Sequence, residues 1–302
     1  MAVSVHKLVT AAEAVARFVT PGAVVGMGGQ NINRCPMALV HEVVRQAPSD
    51  LTVVGCNLSL PLDLLVAAGL VVHTEQGSGN LERYGVLFSW RRALERDELT
   101  TTDHSHLAMA SRFLAGALGV PFLPTRSLLG STLLDELITA GVARRGTDPF
   151  GGDPVVLVRA LRPDVSLIHV SRADPDGNAV IDGPTSHEVD MVRASDTVIV
   201  SAEQVVPPGT FADAPEQVTI SAAYVTAVVE QPYGAYPTSV YRAYDYSDDD
   251  VAEYQRLARA GRAVDWLARH VTGTVDFDAF LQLRDPSGSV REGLREQMGR
   301  LI

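Results

Sequence analysis

The chain has 302 residues, 46 % of them apolar and 20 % charged, which is enough to build a full core and too little charge for disorder. Its 25 cations against 36 acids leave a formal charge of −11, which argues against non-specific nucleic-acid binding, because that rests on a basic footprint. Lys7 is the only lysine, so Schiff-base or phosphate-loop lysine chemistry would have to use it, and no G-x-x-x-x-G-K-[ST] occurs.

Thr10-Ala11-Ala12-Glu13 fits a capping box and predicts a helix toward Phe18, ended by Pro21-Gly22. Ala23 to Met27 reads as a short apolar strand leading into Gly28-Gly29, and Pro36 to Gln46 as a helix. Leu51 to Gly55 is a buried-type strand, Leu62 to Ala68 a helix and Val71 to Thr74 a strand. Asp103 or Ser105 caps a helix that runs to Leu118 and stops at Gly119, followed by a strand from Val120 to Pro124. Strands separated by helices imply βαβ units and a parallel sheet.

Arg144 to Asp153, rich in Gly, Asp and Pro, reads as a long loop. Val155 to Val158 and Val165 to Val170 are strands, and Asp174 to Asn178 is a turn in which proline presets φ and Gly177 takes the left-handed position. Its return strand is Ala179 to Ile181. His187 to Ala194 is a short helix, Thr197 to Ser201 a strand, Pro207 to Pro215 a loop and Val225 to Val229 a strand. From Asp248 the acids, with Leu257, Val264 and Leu267, predict one long amphipathic helix, and two shorter helical stretches close the chain.

Cys35 and Cys56 have neither disulfide nor metal-ligand spacing. Met1 to Thr10 has no apolar signal region, and the longest uncharged apolar run, Leu64 to Val72, is far short of a membrane span, so a soluble cytoplasmic protein is the expectation.

Four segments could carry chemistry. Gly26-Met27-Gly28-Gly29-Gln30-Asn31 follows a strand, where glycines let backbone approach a ligand and expose N–H donors to an anion or oxyanion. Its G-x-G-G spacing is not a dinucleotide fingerprint, and a plain tight turn is the competing account. Glu75, in Thr74 to Asn80 with Ser78, is a carboxylate after a strand, placed to act as nucleophile or base, or simply a solvated loop residue. Ser105 and His106 sit at a helix start, where capping competes with acid–base work; His104 and His106 share no helical face, which disfavours a metal site. Arg126, after a strand, is either a carboxylate or phosphate clamp or an ion-pair partner. No G-x-S-x-G elbow supports a serine hydrolase.

In order, these segments resemble the α (A) subunit of class I coenzyme A transferases, closest to the glutaconate CoA-transferase branch. The resemblance runs from about Val9 to Tyr246 and rests on Gly28-Gly29 with Asn33-Arg34-Cys35-Pro36, Val43 to Gln46 with Asp50-Leu51-Thr52, and Ala115 to Pro124. It continues through Asp164-Val165, Ile168-His169, Asp174 to Gly177, Ala227-Val228-Val229 with Pro232-Tyr233-Gly234-Ala235, and Tyr244-Asp245-Tyr246.

The resemblance implies an α/β fold with an open, twisted, mainly parallel sheet flanked by helices. It implies a single domain over 1–302 with a helical C-terminal extension from about 248. It also implies a β-subunit partner, as αβ or α2β2, with no nucleic acid and no membrane. The implied substrate is coenzyme A as its acyl thioester, without a metal. A glutamate on the β chain attacks the thioester, a mixed anhydride and then a glutamyl-CoA thioester form, and CoA passes to a second carboxylic acid. Carried onto this chain, the substrate-binding residues are Gly28, Gly29, Gln30, Asn31, Arg34, Ser78, Ser105, His106 and Arg126; either arginines such as Arg34 and Arg126 offset the negative charge toward CoA, or the partner subunit holds most of it.

Two positions depart from the pattern: Gln30 stands where many members have phenylalanine, and Tyr236 where a Gly-Ala-His-Pro loop is usual. Glu75-Gln76-Gly77 resembles the β-subunit glutamate element, so Glu75 and His106 are the catalytic candidates within this chain. Relatives of the fold hydrolyse ring-opened steroid-type CoA thioesters or decarboxylate glutaconyl-type ones, the alternative enzyme class. A non-catalytic effector-binding protein of the same fold is the alternative outside enzymes.

Overall fold

A computed structural model describes residues 7–212 and 214–301. The signal-region reading of Met1 to Thr10 lies outside the described residues for its first six positions, as does Asp213 in the predicted 207–215 loop.

The elements run α1 (Ala11–Phe18), β1 (Val24–Met27), α2 (Met37–Gln46), β2 (Leu51–Leu58), α3 (Leu60–Ala67), β3 (Val71–Gly79), α4 (Phe88–Glu95), β4 (Thr100–Asp103), α5 (His106–Leu118), β5 (Phe122–Thr125), α6 (Thr132–Thr139), β6 (Ala143–Thr147) and β7 (Pro154–Arg159). They continue as β8 (Val165–Ala173), β9 (Ala179–Val180), α7 (Glu188–Ala194), β10 (Thr197–Val205), β11 (Ala227–Glu230), α8 (Asp248–Arg259), α9 (Ala263–His270), α10 (Phe277–Arg284) and α11 (Ser289–Leu301).

The main sheet has the order β11-β10-β8-β1-β2-β3-β4, parallel throughout, with β9 turned back antiparallel on β8. Helices cover both faces, which is why β1, β2 and β8 are buried along nearly their whole length and not at alternate residues. β1 lies between β2 and β8, so the chain leaves it in one direction and returns on its other side much later. The crevice outside such a central strand's carboxyl end is where open α/β sheets bind ligands.

Four predicted features differ. The strand from Val71 continues through Glu75 to Gly79 instead of ending at Thr74, because the parallel ladder with β2 reaches Gly79 and outweighs the turn preference of its glycines. The strand before Arg126 does not join the parallel sheet; β5-β7-β6 is a separate antiparallel sheet. Pro124 explains this: it has no N–H to give a central strand, and β5 is an edge. The segment Arg144 to Asp153, expected as a loop, supplies most of β6 and its hairpin. The long helix after Asp248 is two, α8 and α9, broken where Gly261 turns left-handed at φ +76°.

Tyr254, Trp266, Phe277 and Phe280 of the C-terminal helices pack with α2 and α3 into the larger core. His41 of α2 is fully buried in their midst, edge-on to Phe277 and Phe280 at centroid distances of 5.0 and 4.6 Å.

Candidate active site

The site is built where β1, β2, β3 and β4 end side by side. The loop after β1 is pinned from below. Arg34, 1 % exposed, sends Nη1 to Glu188 Oε1 at 2.9 Å, pairs through Nη2 with Oε2, and donates to the carbonyls of His169 and Pro184. Gly28 N–H donates to Leu167 O and Gly29 N–H to Glu188 Oε1, both at 2.9 Å. A side chain at Gly28 would meet Glu188 and Leu167 O within 3 Å, and Gly29 has φ +87°, so both positions demand glycine.

The glycine donors are therefore not open to a ligand, contrary to the expectation from their spacing; they tie the loop to β8 and α7. Arg34 is likewise spent inward. Among the described residues, the N–H groups of Asn31 and Ile32, at the tip of the loop, have no hydrogen-bond partner. Asn31 sits at φ +52°, its carbonyl accepts from Ser59 Oγ, and its Nδ2 donates to Glu82 at 2.6 Å. Gln30 is half-buried beside it.

At the end of β2 and β3, Ser78 Oγ donates to Asn57 Oδ1 at 3.0 Å. A Cβ at Gly77 would stand 2.5 Å from His106 Cδ2 and 2.9 Å from Cys56 O, so the glycine lets His106 lie close against the strand. Ser105 caps α5 through Ala108 N–H and meets Ser127 Oγ at 2.6 Å. His106, the first residue of α5, is exposed.

Glu75 is not a solvated loop residue. It points from β3 into a buried cluster, paired with Arg112 of α5 and 3.1 Å from His104 Nε2, which is itself 2.8 Å from Arg112 Nη1. Burial opposes its charge, but the His104 hydrogen bond and the Arg112 guanidinium outweigh burial and hold Glu75 down to about 2. Burial lowers His104 below the usual histidine range, so its ring is neutral at pH 7. Burial raises the Cys56 thiol to about 12 and the Cys35 thiol to about 11. Neither is a nucleophile near neutral pH.

Gln30 and Asn31 follow β1, Ser78 ends β3, and Ser105 and His106 follow β4, so the structure places all five along one edge of the sheet. Arg126 is not among them: it lies on the small sheet, exposed and paired with Asp153; with β5 outside the parallel sheet, no strand end of that sheet presents it. Sequence reading missed Asn57 and Glu188. A polar residue near the end of an otherwise apolar strand was a readable signal for Asn57; Glu188, 154 positions from Arg34, had none. Among the described residues no group of three or more His, Cys, Asp or Glu is gathered to hold a metal ion. No helix of the described residues is long and apolar enough to cross a membrane.

Comparison with known proteins agrees with this geometry. A family model described as coenzyme A transferase matches residues 8–231. An uncharacterized protein of Archaeoglobus fulgidus is 36 % identical over 92 % of this chain, which spans only 62 % of that relative's length. The A subunit of glutaconate CoA-transferase from Acidaminococcus fermentans is 31 % identical over 91 % of this chain and 86 % of its own. The crystal structure of glutaconate coenzyme A-transferase from that organism superposes with a TM-score of 0.86 at 30 % identity, covering 94 % of both chains. The decarboxylase AibA/AibB superposes at 0.78 and 30 % identity, covering 87 % of this chain and 97 % of its own. A sheet that doubles back about β1, a glycine loop pinned beneath its carboxyl end, and a match over most of the sequence have one common account: the chain belongs to the coenzyme A transferase family.

Proposed function

We propose that this chain is the α subunit of a two-subunit acyl-CoA:carboxylate CoA-transferase whose nucleophilic glutamate comes from the partner. The observation that carries the reading is the state of the carboxylates around the site. Glu75 is ionised and neutralised by Arg112, Glu188 by Arg34, and Glu82 accepts from Asn31. The two buried carboxylates of the site, Glu75 and Glu188, are thus committed to ion pairs within this chain, while amide, hydroxyl and imidazole groups remain for binding. Similarity to the A subunit of a glutaconate CoA-transferase supports the two-subunit assembly.

In the proposed reaction the partner's carboxylate oxygen attacks the thioester carbonyl carbon and the C–S bond breaks, releasing CoA thiolate and leaving a mixed anhydride. The thiolate then attacks the glutamyl carbonyl, the acyl group leaves as its carboxylate, and CoA is held as a glutamyl thioester. The acceptor carboxylate reverses both steps. The open N–H groups of Asn31 and Ile32 are placed to bind negative charge developing on the acyl oxygen, and Gln30, Asn57 and Ser78 to recognise a polar acyl group.

The test is incubation of the two-subunit complex with an acyl-CoA and labelled acetate. Label appearing in acetyl-CoA, with this chain inactive alone, is the expected result; release of free CoA without transfer overturns it. Free CoA would favour the second reading, a thioester hydrolase or lyase. The exposed His106 against Gly77 and the likeness to a decarboxylase support that alternative.

A further inference from the structure

We infer that the outward face of α5 is the seat of the partner subunit, an inference that rests on the two-subunit reading above. α5 has 13 residues, and apart from His106 at its start its one ionisable side chain, Arg112, is buried on Glu75. What it turns outward is Leu107, Ala110, Ser111, Leu114, Ala117 and Leu118, at helical spacings of three and four. Leu107 and Leu118 are 60 % exposed and Leu114 37 %. Ser111 spends its hydroxyl on Leu107 O, so even this polar group offers little to water. A helix face without charge is out of place on a chain carrying −11. Depletion of charge with exposed apolar anchors marks the core of a protein interface.

The ends of the stripe say what covers it. It begins at the residue after His106, so a body seated on Leu107 also walls the candidate site, which this chain leaves open. Four residues past Leu118, Phe122 is 45 % exposed, on the face of the small sheet opposite Val156 and Val158, which pack with Ala108 of α5. Arg159 pairs in register with Phe122 and Arg144 lies across from Leu157, so both share that face. Their guanidinium groups make no ion pair among the described residues, although acids outnumber cations in the chain. An apolar patch with an acidic border complements this layout. A second copy of the chain does not: it would bring two −11 bodies together.

The test uses the full chain and its cognate second subunit. Wild type and Leu114→Glu/Leu118→Glu are titrated with that subunit by sedimentation velocity. In parallel, Ser111→Cys is labelled with a maleimide, free and in the complex, the native thiols being buried. The expected result is a complex with wild type and a Kd raised about a hundredfold or more in the double variant. The thiol introduced in place of Ser111 is expected to react in the free chain and to be protected in the complex. The maleimide result needs no destabilising change, so it decides the matter even where the double variant fails to fold. An unchanged Kd with the thiol still reactive in the complex overturns this inference and leaves the two-subunit reading standing. Protection of the thiol by self-association of the chain alone overturns it in favour of a second copy. A wild-type chain that transfers CoA without any second subunit overturns both.

Discussion

Arg34 and Glu188 face each other with both guanidinium Nη atoms on the two carboxylate oxygens, 1 % and 0 % exposed. One comes from the loop after β1, the other from the first turn of α7. The pair fixes the loop's height above the sheet, and Glu188 also accepts from Gly29 N–H. Removing one partner strands a buried charge. Glu188→Leu is expected to cost about 3–5 kcal/mol, read as a lowered urea midpoint, and Arg34→Met/Glu188→Leu to cost less than the two single changes added.

Glu75→Gln separates a structural carboxylate from a nucleophile. The amide keeps a hydrogen bond to Arg112 but loses the charge. Transfer by the complex is expected to stay within about tenfold of wild type while stability falls, since loss of a covalent nucleophile would remove nearly all activity. An undetectable rate in a folded complex would return Glu75 to the reaction.

Gly77→Ala puts a methyl group where His106 and the Cys56 carbonyl already are. The imidazole must move, whereas Cys56 O, part of the sheet, cannot. A fall of about a hundredfold in kcat/KM is expected, with a smaller change in melting temperature, because the displacement falls on groups that face the substrate.

His41 has both ring nitrogens buried without a partner. Burial, then the charges of Arg45 and His270, hold it well below the histidine range; burial and Arg284 bring His270 to about 4. The unfolded chain takes up these protons near pH 6.5 and the folded one does not. Their contribution is therefore complete above about 6.5 and is lost as pH falls toward 4. Denaturation at pH 7.5 and 5.0 checks this: wild type is expected to lose stability over that interval and His41→Phe to lose less.

Both thiols are expected to resist a disulfide reagent in the native protein and to react together on unfolding, because burial raises Cys35 to about 11 and Cys56 to about 12. Fast native labelling of either would contradict their placement.

The parts legible from sequence were those whose physics is local. Ser105 caps α5 and Gly119 ends it in the left-handed region, as their positions imply. Asp174 Oδ1 accepts from three successive backbone N–H groups in the predicted turn. What misled was local chemistry overruled from a distance. Gly77 and Gly79 signal a turn, yet β2 holds them in a strand. Gly28 and Gly29 signal open donors, yet Leu167 and Glu188 consume them. The polar β6, lacking apolar alternation, becomes a strand only because β7 is beside it.

The site loop has a further consequence, for how the chain is made. Arg34 N–H donates to Ser239 O, Ser239 N–H to Ile32 O, Cys35 N–H to Thr238 Oγ1, and Ala38 N–H to Gly234 O. Every one of these bonds spans roughly two hundred residues of chain. Contacts of such high order are late ones in folding. The first loop of the sheet to leave the ribosome thus sets late, and a nascent chain that has not yet reached Ser239 carries the strands of the fold without a formed site.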